Sequence, residues 1–147
     1  MDGSNFLFVD TNYFVAYFHI YDSLHAKALE ISKTIDTDST RLVLTNYVFL
    51  EVVTVLSQRA GKKTASTVGR HLKEAESVTI IHIDTKLHED AWRIFQEVKA
   101  KDISFVDCST IAAMQADSIK KILTFDHSDF KKLQKQFRFS FYPTKTL

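Results

Sequence analysis

The sequence contains few of the residues that mark extracellular, fibrous or membrane-spanning proteins. Its one cysteine, Cys108, cannot form an internal disulfide, which favours a reducing compartment. Three glycines and one proline are too few for linkers or low-complexity segments. The densest apolar run, residues 47–56, contains Glu51 and is too short to cross a membrane. The first residues have neither the basic segment of a signal peptide nor a glycine at position 2, so we expect a soluble, cytoplasmic protein.

The composition is that of a globular protein with one core. Of the 147 residues 45% are hydrophobic, and 12 Phe, five Tyr and one Trp supply large apolar side chains. We therefore expect one domain over residues 1–147. The net charge of +1 is unevenly distributed: residues 1–40 carry six acids and two bases, whereas residues 120–147 carry seven bases and two acids. The basic segment either contacts phosphates or is an ordinary lysine-rich surface.

Short apolar segments alternate with helical patterns along the whole chain. Strands are predicted at residues 5–9, 42–44, 78–83, 121–125 and 138–142. Helices are predicted at residues 11–18, 24–35, 46–59, 62–76, 85–100 and 104–117, and another begins near Asp126. We expect Ser23 to cap the second helix, Asp84 or Thr85 to cap the fifth, and Gly61 to end the third. This alternation predicts an α/β sandwich around a mostly parallel sheet.

Four acidic residues lie in apolar sequence, where a charge is costly. Asp10 and Asp126 each follow a predicted strand, and ligands bind beyond the carboxyl ends of parallel strands. Glu51 shares a helical stripe with Val48, Val52 and Val55 that is expected to face the core. Asp107 lies near the first turn of an apolar helix.

Each acid also has an ordinary structural explanation. Asp10 and Asp126 are suitable helix caps, Asp107 suits the positive end of a helix dipole, and Glu51 is able to pair with a buried base. One or two hard divalent cations, Mg²⁺ or Mn²⁺, would satisfy all four carboxylates together. Such ions activate water and neutralise charge in phosphoryl transfer, which suits a chain without a recognisable catalytic triad.

The chain resembles the PIN domain family, and in size and motif order the VapC-type toxin ribonucleases. The resemblance covers residues 6–142, and four segments carry it in order: FLFVDTNYFVAYF, LTNYVFLEVVTVL, ISFVDCSTIAAM and ILTFDHSDF. It implies a three-layer α/β/α sandwich and a metal-dependent endoribonuclease. In that family the matching positions Asp10, Glu51, Asp107 and Asp126 are the catalytic acids that hold Mg²⁺ or Mn²⁺.

The resemblance also implies supporting residues around the acids. Thr11 and Asn12 match a polar pair after the first acid, and Thr124 matches a hydroxyl residue before the fourth. Asp129 is a further acid that could share the role of Asp126, because His127 and Ser128 differ from the usual family residues. His127 is itself a candidate phosphate contact.

The resemblance further implies an RNA substrate, a homodimer and a VapB-like antitoxin. The stretch of residues 12–21, which is rich in aromatic side chains, suits either an antitoxin groove or ordinary core packing. Candidate contacts for the RNA backbone are basic residues near the C-terminus: Lys120, Lys121, Lys131 and Lys132.

Two other functions are weighed against this interpretation. A haloacid-dehalogenase-type phosphatase also begins with an Asp after a strand, but requires a second Asp where this chain has Asn12. A PIN-like module that binds RNA or protein without catalysis is the other alternative. The presence of all four acids argues against it.

Overall fold

A computed structural model of the protein describes residues 5–144. Within them, five parallel strands form one sheet in the order β3-β2-β1-β4-β5. The strands are β1 Phe6–Val9, β2 Arg41–Thr45, β3 Val78–Ile81, β4 Lys121–Leu123 and β5 Ser140–Phe141. The helices are α1 Thr11–Phe18, α2 His25–Thr37, α3 Asn46–Ala60, α4 Lys62–Glu74, α5 Thr85–Glu97, α6 Phe105–Ala116 and α7 His127–Leu133. The predicted fold class is confirmed.

Both faces of the sheet are buried, as the apolar strand sequences require. Along β1, Leu7 and Val9 pack in one apolar cluster, whereas Phe8 packs in the other. In β2 and β4 the same alternation sends neighbouring side chains to opposite faces. Parallel strands covered by helices on both faces have near-continuous apolar sequences, as here. The sheet is therefore the middle layer of an α/β/α sandwich.

Several element ends differ from the sequence prediction. Ser23 is not a helix cap: α2 begins at His25 after Leu24, whose backbone N–H is bound by the Asp22 carboxylate at 2.9 Å. Helix α5 ends at Glu97, short of residue 100. Asp84 caps α5, and Gly61 with φ of 92° ends α3, as predicted.

Strands β3 and β4 stop early because side chains bind the backbone beyond them. The Ile83 N–H donates to Asn46 Oδ1 at 2.7 Å, and the Phe125 N–H donates to Asn12 Oδ1 at 3.0 Å. Each asparagine takes the place of a ladder partner, so the chain leaves the sheet two residues before the predicted end.

The strand order brings distant parts of the chain together at one edge of the sheet. Strands β1 and β4 are neighbours with Val9 opposite Leu123, and the Asp10 N–H donates to the Leu123 carbonyl at 2.9 Å. Residues that follow β1 and β4 therefore share the carboxyl edge of the sheet.

No helix within residues 5–144 is long and apolar enough to cross a membrane.

Candidate active site

A cavity of about 360 Å³ opens at the carboxyl edge of the sheet, and we name it the acidic cavity. Its lining includes the four predicted acids Asp10, Glu51, Asp107 and Asp126. The other lining residues are Thr11, Asn12, Val15, Asp22, Leu24, Val55, Arg59, Asp102 and Ser104. Side chains from β1, α3, α6 and the segment after β4 thus converge, although they are far apart in sequence.

Asp10 is the most enclosed of the four acids. It is buried where β1 passes into α1, and its Oδ1 accepts a hydrogen bond from the Thr11 N–H at 2.8 Å. Its Oδ2 accepts from the Thr124 hydroxyl at 2.8 Å. Asp10 is therefore the N-cap of α1, as one explanation predicted, and it also lines the acidic cavity.

The predicted supporting residues Asn12 and Thr124 form a network around Asp10. Thr124 Oγ1 accepts from Asn12 Nδ2 at 3.2 Å and from the Asp126 N–H at 3.0 Å, while it donates to Asp10. Since Asn12 also binds the Phe125 N–H, both its side-chain polar groups are used. This network connects the start of α1 to the segment that carries Asp126.

Glu51 lies at the cavity and not in the core, so the expected core position is wrong. The core side of α3 consists of Val48, Val52 and Leu56, all fully buried. Glu51 begins a neighbouring row, with Val55 and Arg59 at successive intervals of four residues, and this row lines the acidic cavity. The carboxylate consequently needs no buried partner.

Asp107 is held by a capping box at the start of α6. Its Oδ2 accepts from the Ser104 N–H at 3.0 Å, and Ser104 Oγ accepts from the Asp107 N–H at 3.0 Å. The helix-terminal explanation is therefore correct for Asp107, which lines the cavity as well. The reciprocal bonds fix the orientation of this carboxylate.

Of the two candidates for the fourth acid, Asp126 lines the cavity and Asp129 does not. Asp126 precedes α7, but its side chain makes no capping hydrogen bond. Burial and the adjacent Asp129 carboxyl raise the pKa of Asp126 above its ordinary value. Asp129, whose carboxyl group is next to that of Asp126, also pairs with Lys132 at 3.5 Å.

Burial and the negative charges of neighbouring carboxylates raise the pKa values of Asp10 and Asp107. Burial, followed by the negative charges of Asp107 and Glu51, raises the pKa of Asp10 to about 7, although the hydrogen bonds from Thr124 and Thr11 oppose the shift. Burial, with the negative charges of Glu51 and Asp126, raises the pKa of Asp107 to about 6. The hydrogen bonds with Ser104 oppose this shift. A cation in the cavity would relieve this repulsion.

The donor set suits Mg²⁺ or Mn²⁺, which prefer oxygen ligands. Thr11 is only 8% exposed, lines the cavity, and its Oγ1 has no hydrogen-bond partner within residues 5–144. As the side chains stand, no three His, Cys, Asp or Glu residues of that range form a ready cluster around one ion. This arrangement fits an ion held by one or two carboxylates and by water better than a closed protein cage.

Sequence reasoning missed Arg59, Asp22 and Asp102 among the cavity residues. Arg59 follows Glu51 by two intervals of four residues on α3, and this spacing indicates that the two side chains lie on the same side of the helix. Asp22 and Asp102 lie outside helices and strands, where no periodic pattern points to their position.

None of the four basic candidates lines the cavity, although Lys132 pairs with the lining residue Asp102. Lys120 and Lys121 lie at the amino end of β4, whereas the cavity lies at the carboxyl end. Lys131 and Lys132 are in the last turn of α7, where Lys132 pairs with Asp102 and Asp129 at 3.5 Å each.

The structure also shows the surroundings of two other predicted contacts, His127 and the segment 12–21. His127 stacks on Phe141 with ring centroids 4.3 Å apart and does not line the acidic cavity. Within residues 12–21, positions 13–16 are core residues, which supports the core-packing explanation for them. Ile20 and Tyr21 remain 66% and 85% exposed.

Comparison with known proteins gives a consistent set of matches. The model of the PIN domain family matches residues 7–136. A 23S rRNA-specific endonuclease, VapC20 of Mycobacterium tuberculosis, is 28% identical over 121 residues, which cover 82% of this chain and 88% of that protein.

Solved structures of other proteins share this fold. The crystal structure of M. tuberculosis VapC20, a Sarcin-Ricin loop cleaving toxin, has a TM-score of 0.75 at 24% identity and covers 89% of this chain and 95% of that one. VapBC2 from Rickettsia felis, bound to a DNA fragment from its promoter, has a TM-score of 0.65 at 14% identity and covers 92% and 98%. At these identities, the structures establish the shared fold.

Proposed function

Because this chain belongs to the PIN domain family, we propose that it is a Mg²⁺- or Mn²⁺-dependent endoribonuclease, the toxin of a toxin–antitoxin pair. The convergence of Asp10, Glu51, Asp107 and Asp126 on one cavity carries this proposal. One or two of these four acids would bind an ion directly and the others through water, and Thr11, Asn12 and Thr124 would support them. When bound, the ion supplies a water of lowered pKa and neutralises charge on the phosphodiester.

Water is the attacking group in this proposal, and the two side chains that follow Asp107 on α6, Cys108 and Ser109, are unsuited to the role. Cys108 is fully buried, and burial together with the charge of Asp107 raises its pKa to about 11. The Ser109 hydroxyl is buried and donates to the Val106 carbonyl at 2.6 Å. Hydrolysis would add water at phosphorus and break one P–O bond of the RNA backbone.

The residues around the acids would keep them in place. Asp10 is fixed by the Thr11 N–H and the Thr124 hydroxyl, and Asp107 by its capping box. Geometry held in this way before substrate arrives avoids the cost of ordering the carboxylates during the reaction.

The substrate and partner follow from the relatives. The name of the 28% identical relative makes 23S rRNA the first RNA to test. The likeness in fold to a toxin–antitoxin complex from Klebsiella pneumoniae makes an antitoxin the first protein partner to test. A homodimer stays a prediction.

The deciding experiment uses protein purified without a partner. We expect it to cut 23S rRNA or members of a mixed RNA pool with Mg²⁺ or Mn²⁺ and not with EDTA. Asp107→Asn should abolish cleavage and preserve RNA binding, since the amide oxygen is still able to accept from the Ser104 N–H. The matched control is Asp117→Asn at the other end of α6, outside the cavity, which should cleave as the wild type does.

Other results would overturn the proposal in distinguishable ways. Cleavage by Asp107→Asn at the wild-type rate would refute the site. RNA binding without cleavage under any metal condition would favour the binding module. Hydrolysis of a small phosphomonoester in place of RNA would favour the phosphatase.

A further inference from the structure

The lining of the acidic cavity is electrostatically one-sided. It includes six carboxylate side chains, those of Asp10, Asp22, Glu51, Asp102, Asp107 and Asp126. Arg59 is the single cationic side chain among the lining residues, all of which the structure describes. A phosphodiester that enters this cavity meets strong repulsion unless cations compensate it.

Helix α3 places Arg59 among the residues that line the cavity. Arg59 lies in the last turn of the helix, in the same row as Glu51 and Val55. Its Nη1 is 3.6 Å from Asp22 Oδ2, and the Arg59 side chain is 57% exposed whereas that of Asp22 is 15% exposed. The other oxygen of Asp22 accepts from the Leu24 N–H at 2.9 Å, so the carboxylate that faces Arg59 is itself anchored.

This ion pair leaves the guanidinium with capacity for a further anion. A guanidinium has five N–H donors, and the contact to Asp22 is long for a hydrogen-bonded pair. An ion pair this long, with its arginine side chain 57% exposed, contributes little to stability. Guanidinium groups bind phosphate through two parallel hydrogen bonds, which is their strongest mode of recognition.

We infer that Arg59 binds a backbone phosphate of the RNA strand at the acidic cavity, while Asp22 orients the guanidinium. The inference rests on the proposed function for the identity of the ligand. Arg59 supplies a positive charge to a cavity that is otherwise lined by acids, on the side formed by the end of α3. It acts on substrate binding and placement, not as a proton donor or acceptor.

A purely structural role makes a different prediction. If Arg59 only fastens the segment after α1 through Asp22, then removal of either partner has the same effect. Asp22→Asn breaks the ion pair but keeps the guanidinium and an acceptor for the Leu24 N–H. Arg59→Gln breaks the pair and removes the charge, so the two variants separate the two roles.

The experiment compares Arg59→Gln, Arg59→Lys, Asp22→Asn and a control, Arg70→Gln. Arg70 is exposed on α4 and lies outside the acidic cavity, so the control removes a guanidinium from elsewhere. Cleavage kinetics are measured on the RNA that the wild type cuts. Affinity for the same RNA, or for 23S rRNA if none is cut, is measured against salt with each substitution added to Asp107→Asn.

We expect Arg59→Gln to weaken RNA affinity roughly tenfold or more and to raise KM, whereas Arg70→Gln has no effect. Loss of one phosphate contact should also reduce the slope of log affinity against log salt by about 0.7 for a single strand. Arg59→Lys should recover part of the lost affinity, because it keeps the positive charge but not the guanidinium's two parallel hydrogen bonds. Asp22→Asn should lose less RNA affinity than Arg59→Gln does, and the two variants should have equal melting temperatures.

Equal losses in Asp22→Asn and Arg59→Gln, or an unchanged salt slope in Arg59→Gln, would overturn the inference. If the wild type cleaves and Arg59→Gln binds and cleaves equally well, this inference fails while the proposed function stands. If the wild type cleaves nothing, the proposed function fails, and the affinity measurements still decide the role of Arg59. RNA affinity that is absent in the wild type would overturn both.

Discussion

The Thr124 hydroxyl donates a hydrogen bond to Asp10 Oδ2 over 2.8 Å and joins two residues that are 114 positions apart in the chain. The bond connects the ends of the neighbouring strands β1 and β4. It supports the charged form of a carboxyl group whose surroundings otherwise favour its protonation. Thr124 thus has a defined role in the site, although it is not itself an acid.

Replacement of Thr124 by Val should separate this role from simple packing. The change keeps the shape but removes the donor to Asp10 and the acceptor for Asn12 and Asp126. We expect a loss of about 1–3 kcal/mol in the free energy of unfolding and a strong fall in RNA cleavage. Urea denaturation and initial cleavage rates measure the two effects.

The control for this prediction is Thr67→Val on α4. The Thr67 hydroxyl is exposed and donates to the Lys63 carbonyl within the helix, so its loss should cost about 0.5 kcal/mol or less. Equal behaviour of the two variants would contradict a special role for Thr124.

The pH dependence of stability should reveal Asp10. Its pKa is raised in the folded state from 3.8 to about 7, so the folded protein holds this proton more tightly than the unfolded chain does. In EDTA, this carboxyl should therefore reduce stability progressively as the pH rises from about 4 to about 7. Asp10→Asn removes the loss and should be more stable than the wild type at pH 8, by on the order of 2–4 kcal/mol.

The same two proteins should have similar stability near pH 4, just above the ordinary pKa of 3.8, because Asp10 is then protonated in the folded state and still partly protonated in the unfolded state. Urea denaturation at both pH values provides the measurement. Asp117→Asn, which changes an acid outside the cavity, is the matched control. A stability of Asp10→Asn below that of the wild type at pH 8 would contradict the account.

The capping box of α6 should affect activity as well as stability. Ser104→Ala removes the acceptor for the Asp107 N–H and should cost about 1 kcal/mol. It also removes one of the two reciprocal hydrogen bonds that orient the Asp107 carboxylate, so we expect RNA cleavage to fall severalfold. Thermal denaturation and cleavage rates on the same samples test both effects.

Asp84→Ala provides the comparison, because Asp84 caps α5 through the Leu87 N–H at 2.9 Å and lies outside the acidic cavity. It should cost similar stability without loss of cleavage. If both cap variants lost activity in proportion to stability, the orienting role of Ser104 would be refuted.

The sequence was informative where local chemistry decides the structure. Thr11 to Phe18 forms the predicted first helix with the same ends, and Asp84 and Gly61 act as predicted at helix ends. The prediction failed where a neighbouring side chain takes the hydrogen bond that the predicted cap would make. Ser23 has the chemistry of a cap, but Asp22 binds the Leu24 N–H, and the helix starts later.

The candidate site was predicted by residue type more accurately than by environment. Glu51 was recognised as unusual in an apolar segment, but its expected position in the core was wrong. A helix places side chains in several adjacent rows, and the row of Glu51 differs from that of Val52 by only 100°. Which row faces a cavity depends on the helices packed alongside, and this is not encoded in α3 alone.

By itself, the sequence determined the alternation of strands and helices and the identity of the acids at their ends, because apolar periodicity and capping act over a few residues. The tertiary structure decided that β1 lies between β2 and β4, since strand pairing over long separations depends on packing of the whole chain. That order places Asp10 beside Thr124 and Asp126. It also brings Arg59 to the acids and leaves Lys120 at the far end of β4.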